Sequence, residues 1–527
     1  MRERREFVAF VSNHSQKRVV VSVNQLLPPF SCDIQDAVVS PRKKGKIRFM
    51  YTPMPPNELE DEKDIEHKQS IIEYLNGLLN TWIRSVFKDI GYDEEVVNNA
   101  KGYVFLYGSL ALGVSSTSSD IDLLCVVPGS ISEEDYFSSF YSFLSKEPRI
   151  MSVTAIPLAY VPLITVEIDE ISVDLPVAFI DAYPTVLPDT FSILDDSILK
   201  DVSVNTMNSL NGPRVALTLL KLVRNNDTFR IAFAAIRLLA KQRCFYKNVF
   251  GYFGGINIAI LLIAIQQNHP NASVCQLIQL FFDVYSCTLG DTPIQLTEVA
   301  NRPDLHFDEY MWRNNPKSES DVLAILTPVY PCTNSTHSVY QSTLCHIQTQ
   351  LRFAADCFRR VCAGDEALLT LFAPFPFFTA HDVYVRVGVR AAYREQFEQW
   401  RGWVESKLRL FAFFIQKTGE LQACVYPNVC EPRAYDPYEN AADAYGRANA
   451  CEFFIGIDVS AGVRATGQLD LSRAASSFID ILRVQQEEGM ECTLKLLRRE
   501  ELGMETPPIP EAWRAIEKDE DLVELYS

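Results

Sequence analysis

The feature that most constrains this chain is a short run in which an apolar strand meets a Gly-Ser turn and a second strand then carries two aspartates. Tyr103-Val104-Phe105-Leu106 reads as the first strand, and Tyr107-Gly108-Ser109-Leu110-Ala111-Leu112-Gly113 as the turn and its exit. Ser119-Asp120-Ile121-Asp122-Leu123-Leu124-Cys125 opens a second strand over 120–127. Side chains alternate along a strand, so Asp120 and Asp122 share one face while Ile121 and Leu123 point to the core. Two carboxylates held side by side repel each other unless a cation lies between them. Hard oxygen ligands of this kind suit Mg2+ or Mn2+ bound jointly with substrate phosphates. The Gly-Ser turn permits close backbone approach and offers a hydroxyl, which a nucleotide phosphate beside the metals requires. A third carboxylate, Asp174, falls on a later β run, where Ser172 and Asp174 share a face.

Alone, an Asp-x-Asp pair is a weak signal, because aspartates are common at solvated strand ends. The upstream strand, the Gly-Ser turn, the paired aspartates and a later strand aspartate together are far more specific.

Around this centre the chain divides by pattern. Residues 64–88 place apolar side chains at helical spacing and predict a long amphipathic helix. Residues 163–168 and 171–179 read as two strands joined at Asp169-Glu170. Helices dominate from about 205 to 290, with 229–242 and 256–267 the clearest, and 345–363 adds another. Beyond them, 382–389, 403–415 and 451–458 suggest a smaller α+β domain, and 517–524 an acidic tail. Residues 1–55 are hard to read, and the basic run Arg42-Lys43-Lys44-Gly45-Lys46 is best taken as a solvated loop or strand edge.

With 527 residues, two to four domains are expected, and 47% hydrophobic with 22% charged residues is an ordinary globular balance. The longest apolar run, 256–265, is too short to span a membrane and suits a buried helix. A net charge of −18 counts against a general polyanion binder, so a nucleic-acid enzyme would need cations concentrated in a cleft. Thirteen cysteines without a CxxC pair suit a reducing compartment. Seven histidines without HxxxH or Cys/His spacing argue against zinc. Arg230, Arg237 and Lys241 recur at helical spacing, so one helix face would present a basic stripe able to neutralise a triphosphate; an ordinary solvated face is about as common. The aromatic cluster 372–378 reads as core packing in preference to base stacking.

The carboxylate constellation resembles the polymerase-β-like nucleotidyltransferase superfamily, and further segments resemble the eukaryotic messenger poly(A) polymerase family within it. They are Ser209-Leu210-Asn211-Gly212-Pro213-Arg214-Val215, Ala235-Ile236-Arg237-Leu238-Leu239-Ala240-Lys241, Tyr246-Lys247-Asn248-Val249-Phe250-Gly251-Tyr252-Phe253-Gly254-Gly255-Ile256, and Ile325-Leu326-Thr327-Pro328-Val329-Tyr330-Pro331. Val404-Glu405-Ser406-Lys407-Leu408-Arg409 is similar to a helix of that family's RNA-binding domain. The similarity runs in family order across residues 60–430 and is loose beyond 340.

The resemblance implies an α/β plus α architecture: a mixed-sheet nucleotidyltransferase catalytic domain over 56–185, a helical middle domain over 186–345 and a C-terminal α+β RNA-recognition-like domain over 346–510. A divergent segment, 1–55, precedes them, an acidic tail, 511–527, follows, and the leading helix could pack with the middle domain. Asp120, Asp122 and Asp174 would be the catalytic metal ligands for two Mg2+ ions, with Mn2+ able to substitute. Ser109 would bind the triphosphate, Asn211 the sugar, and Tyr246 and Asn248 the incoming ATP. Val161, Gly255, Ile256 and Thr327 would surround the adenine, while Tyr107, Gly108, Arg237 and Lys241 complete the nucleotide site. The implied activity is template-independent adenylyl transfer from ATP to RNA 3′ ends in messenger polyadenylation. The implied setting is a monomer without membrane contact, serving a pre-mRNA cleavage and polyadenylation complex in the nucleus, with the cytoplasm as the alternative.

Three departures bear on this. Arg237 stands where the family usually has lysine, which keeps phosphate binding but alters its geometry. Ser118-Ser119-Asp120 is spelled more like the non-messenger adenylyl- and uridylyl-transferases. The long Ser/Thr-rich basic tail of many vertebrate members is not seen in this sequence, which leaves docking and nuclear import through such a tail open. The competing functions are a terminal uridylyltransferase, separated by nucleotide choice; an oligoadenylate-making enzyme, which needs no primer; and an inactive RNA-binding scaffold, separated by metal titration.

Overall fold

The computed structural model describes residues 60–502, apart from 61, 118, 158, 419–420, 432–448, 461–463 and 465–468, together with the backbone of four earlier strands. These strands, β1 (Phe7–Ser12), β2 (Val19–Ser22), β3 (Asp36–Val39) and β4 (Lys44–Phe49), pair as two antiparallel ribbons, β1 with β4 and β2 with β3. Part of the basic run, residues 44–46, lies in β4; Arg42 and Lys43 lie outside the described residues.

The first large unit is a five-stranded mixed sheet. Helix α1 (Glu62–Ile90) and the short α2 (Glu94–Asn99) precede β5 (Tyr103–Tyr107), the one-turn helix α3 (Gly108–Ala111) and β6 (Ile121–Pro128). A π-helical turn and α4 (Tyr141–Leu144) lead to β7 (Ile150–Ile156), β8 (Leu163–Ile168) and β9 (Ile171–Ile180). The strand order is β5-β6-β9-β8-β7, with β6 and β9 parallel and the other pairs antiparallel. Strand β6 is apolar on both faces because both faces are covered. On one side Ile121, Leu123 and Cys125 pack with Ile71, Leu75, Trp82 and Phe87 of α1, which therefore belongs to this sheet. On the other, Leu124 and Val126 pack with Met207 and Leu210 of α5 (Val204–Leu222) and with Leu326 and Tyr330. Strand β7, missed in the sequence, forms the outer edge; Met151 and Ile156 are exposed there, so it carries little apolar alternation.

The middle of the chain is helical: α6 (Asn226–Gln242), α7 (Gly255–Asn268), α8 (Val274–Thr288) and α9 (Gln341–Ala363). Residues 258–263 of α7 are all fully buried, as a helix that is apolar all round must be. Among the described residues no helix is long and apolar enough to cross a membrane.

Two short turns, α10 (Leu368–Leu371) and α11 (Phe377–Ala380), precede the last unit: β10 (Val383–Arg390), α12 (Arg394–Lys417), β11 (Gln422–Val425), β12 (Ala450–Asp458), α13 (Ser472–Leu482) and β13 (Glu491–Arg498), ending in α14 (Arg499–Leu502). This β-α-β-β-α-β succession closes as one antiparallel sheet in the order β11-β12-β10-β13. Its two helices cover one face, where Phe411 and Phe478 stack at 4.4 Å. The other face is partly sealed by Phe377 and Phe378 against Tyr384, Tyr426 and Phe454, which makes these phenylalanines core residues.

The helical and C-terminal units share one continuous core and a polar seam. The Tyr252 hydroxyl donates to the Val425 carbonyl at 2.8 Å and the Tyr340 hydroxyl to that of Ala423 at 3.0 Å. Also at this seam, His346 donates Nε2–H to the Arg243 carbonyl at 3.1 Å. Burial first, and His381 second, lower its pKa to about 4. A lowered pKa means that the unfolded chain takes up a proton before the folded one does. His346 therefore costs no stability above pH 6.5 and a growing amount as the pH falls toward 4. At pH 5 the cost is about 2 kcal/mol. The fall in Tm between pH 7.5 and 5.0 should be smaller for His346→Gln than for the unaltered chain; equal falls would contradict this account.

Candidate active site

Strand register brings the aspartates together. Asp122 lies opposite Asp174 across the parallel pair β6–β9 and opposite Tyr107 across β5–β6. Their neighbours Ile121, Leu123, Val173 and Leu175 face α1, so both carboxylates stand on the α5 side. Asp174 accepts a 2.8 Å hydrogen bond from Thr165 Oγ1, its partner on β8. The hairpin register counted back from the Asp169-Glu170 turn puts Thr165 opposite Asp174, yet the sequence reading passed over it.

The electrostatics record crowding of negative charge. Burial, then Asp174 and Asp120, push the Asp122 carboxyl up to about 7. Asp120 is more exposed but is raised for the same reasons, burial first and Asp174 second, against the opposing pull of Lys68. Tyr107 is raised by burial and then by Asp122 and Asp174, so it stays protonated. Among the described residues no three His, Cys, Asp or Glu side chains close on one another as a ready-made metal cage.

Gly108 fits against this cluster by having no side chain. Its φ is +68°, and a Cβ there would lie 1.9 Å from Asp122 Oδ2. Helix α3, which starts at Gly108 and carries Ser109, packs against both α5 and α7. On α5, Gly212 lets the Tyr107 ring pass, since a Cβ there would lie 3.0 Å from it. Next to it, Asn211 Oδ1 is buried without a hydrogen-bond partner among the described residues, a placement that suits a ligand donor.

The loop between α3 and Asp120 is tied down from three sides. The Lys68 ammonium, buried in α1, lies 2.6 Å from Glu60 Oε1 and donates to the Ser119 carbonyl at 2.6 Å. Ser115 donates to the other oxygen of Glu60. The sequence reading missed this buried ion pair, because a lysine in an amphipathic helix normally signals solvent. From α6, Arg230 Nε donates to the Gly113 carbonyl at 2.6 Å and Arg237 Nη1 to that of Val114. Arg237 is buried over the Phe233 ring at 5.5 Å. The expected open basic stripe is thus corrected: its arginines fasten the loop carbonyls, and Lys241 alone of the three is exposed.

The remaining expected nucleotide contacts fall in three places: the start of α7, the buried segment around Thr327 and the entrance to β8. A Cβ on Gly255 would lie 3.4 Å from the Tyr246 hydroxyl, so these two adjoin at the start of α7, where Ile256 follows. Asn248 packs near Gly254 and accepts from Ser338 Oγ. Thr327 is buried, and its Oγ1 accepts from the Thr333 amide at 3.0 Å. Val161 lies at the entrance to β8, beside an exposed Tyr160 whose hydroxyl donates to Asn208 of α5 at 3.3 Å.

A mixed sheet with aspartates on two adjacent inner strands, a Gly-Ser turn and flanking helices defines a nucleotidyltransferase fold. Three family models match in succession: the poly(A) polymerase nucleotidyltransferase domain over residues 54–223, the poly(A) polymerase central domain over 228–374, and the poly(A) polymerase predicted RNA binding domain over 376–444. The chain belongs to the poly(A) polymerase family. It is 30% identical over 448 residues to nuclear poly(A) polymerase 2 of Arabidopsis thaliana, covering 84% of this chain and 54% of that one. It is 31% identical over 433 residues to a poly(A) polymerase of Dictyostelium discoideum, covering 81% and 52%. The chain therefore spans about half the length of these relatives. Among solved structures, a cytoplasmic RNA terminal U-transferase aligns with 61% of this chain and 95% of its own at 15% identity and a TM-score of 0.41.

Proposed function

We propose that this chain is a polynucleotide adenylyltransferase, adding AMP from ATP to RNA 3′ ends without a template and releasing pyrophosphate. The observation that carries this reading is Asp122 opposite Asp174 on parallel strands, with Gly108 in contact with the Asp122 carboxylate. A cluster in which burial first, and the neighbouring carboxylates second, keep one carboxyl near pKa 7 is the donor set a divalent cation relieves. Asp120, Asp122 and Asp174 would hold two such ions, Mg2+ with Mn2+ as a substitute, which would neutralise the phosphates and acidify the attacking hydroxyl.

The chain's own groups orient the reaction. Thr165 fixes the rotamer of Asp174, and the Lys68–Glu60 pair fixes the loop that delivers Asp120. Ser109 receives the triphosphate, Asn211 the ribose, and Tyr246, Asn248, Gly255 and Ile256 the base side of ATP, with Val161 and Thr327 completing the pocket. The RNA 3′ oxygen attacks the α-phosphorus, the bond to the β-phosphate oxygen breaks, and the hydroxyl proton passes to Asp174 or to water. The C-terminal sheet domain is the RNA-binding part. The names of the Arabidopsis relatives support a nuclear protein, and we assign it, as a monomer, to a pre-mRNA cleavage and polyadenylation complex.

The test is extension of a labelled oligo(A) primer with ATP, UTP, CTP or GTP supplied separately, under Mg2+ and under Mn2+. Long ladders with ATP alone are expected. Ladders with UTP would move the chain to the uridylyltransferases, and products without primer to the oligoadenylate makers.

A further inference from the structure

Lys247 stands between Tyr246 and Asn248, and its backbone is unusual. Its φ is +118°, a conformation that residues with a side chain rarely adopt. Contacts within the loop and beyond it hold it there. Its amide donates to the Phe253 carbonyl at 2.8 Å, which closes the loop on itself. Its ammonium lies 4.9 Å from the centre of the Phe250 ring and reaches on to the C-terminal domain: Nζ is 2.5 Å from Glu405 Oε1 on α12 and 3.4 Å from the Pro427 carbonyl. One helical turn further along α12, Arg409 Nη1 donates to the Ser338 carbonyl at 3.3 Å, and the Ser338 hydroxyl donates to Asn248 Oδ1. Residues four apart share a helix face, so a single face of α12 grips both sides of the loop.

We propose that Lys247 and Glu405 form a positioning pair through which the C-terminal domain sets the Tyr246–Asn248 loop for the incoming nucleotide. The inference rests on the assignment of Tyr246 and Asn248 to ATP. Neither member of the pair touches the reacting atoms. The pair acts by holding a backbone conformation that the loop would leave once released, so its loss weakens nucleotide binding and leaves the chemical step of bound ATP largely intact. It also gives the RNA-binding domain a mechanical route to the nucleotide site, because any shift of α12 moves the loop.

The experiment is steady-state primer extension by the full chain with MgATP and oligo(A), comparing Lys247→Met, Glu405→Gln and the charge-swapped double variant Lys247→Glu/Glu405→Lys. Each single variant keeps the side-chain bulk and removes one charge, and circular dichroism confirms folding. The singles should raise KM for ATP by roughly five- to tenfold with kcat changed less than about twofold, and the swap should recover most of the loss. A KM within about twofold of the unaltered chain in both singles, or a swap as poor as the two losses combined, overturns the proposal. Failure of the unaltered chain to extend with ATP is a different result: it removes the adenylyltransferase reading itself, before any variant is compared.

Discussion

Asp122→Asn is expected to lower primer extension by about three orders of magnitude or more while leaving the fold intact. The substitution keeps the shape of the side chain and removes one charge beside Asp174 and Asp120. Burial first, and those neighbours second, already resist ionisation of Asp122, holding its carboxyl near 7. In the absence of added metal the asparagine protein should therefore melt at or above the temperature of the unaltered chain, since neither the burial of a charge nor the repulsion remains. With Mg2+ and ATP present the order should reverse, because only the aspartate protein gains stability from binding. Full activity, or a Tm that drops sharply in EDTA, would show Asp122 to be a structural carboxylate. The pairing of a large catalytic loss with unchanged or increased apo stability is the signature of charge crowded for a cation.

How much of this was legible beforehand depended on whether the signal lay in one segment. Strand alternation placed Asp122 and Asp174 on the face away from Ile121 and Val173, and the register agrees. The stretch around Ile260 was readable as a buried helix because from 258 to 265 every residue is apolar. Contacts between distant segments were not readable. The spacing of Arg230 and Arg237 gives their common helix face, but not that the face meets the carbonyls of Gly113 and Val114, more than a hundred residues earlier. Lys68 looks like any solvated lysine in α1 until Glu60 and Ser119 close over it. The φ of Lys247 has no sequence signature at all, since glycine is the residue one would expect there. Position within an element is encoded locally, whereas the partner an element meets is decided by packing.

Gly108→Ala separates two roles that one glycine combines. Its φ of +68° lies in the left-handed region, where a methyl group costs about 1 kcal/mol. The methyl carbon would also fall 1.9 Å from Asp122 Oδ2. The atom it strikes is the free end of a short side chain and not backbone, so the cheapest relief is for Asp122 to turn away. The stability loss should then stay near 1–2 kcal/mol, seen as a Tm only a few degrees lower. Activity should fall by roughly a hundredfold or more, because a carboxylate displaced by an ångström no longer serves the α-phosphate. A double variant tests this directly. If alanine acts by moving Asp122, then Gly108→Ala/Asp122→Asn should be scarcely less active than Asp122→Asn alone, the two losses failing to add. Independent losses that multiply would mean that the Gly108 backbone itself meets the triphosphate, and that the methyl group blocks the substrate and not the carboxylate.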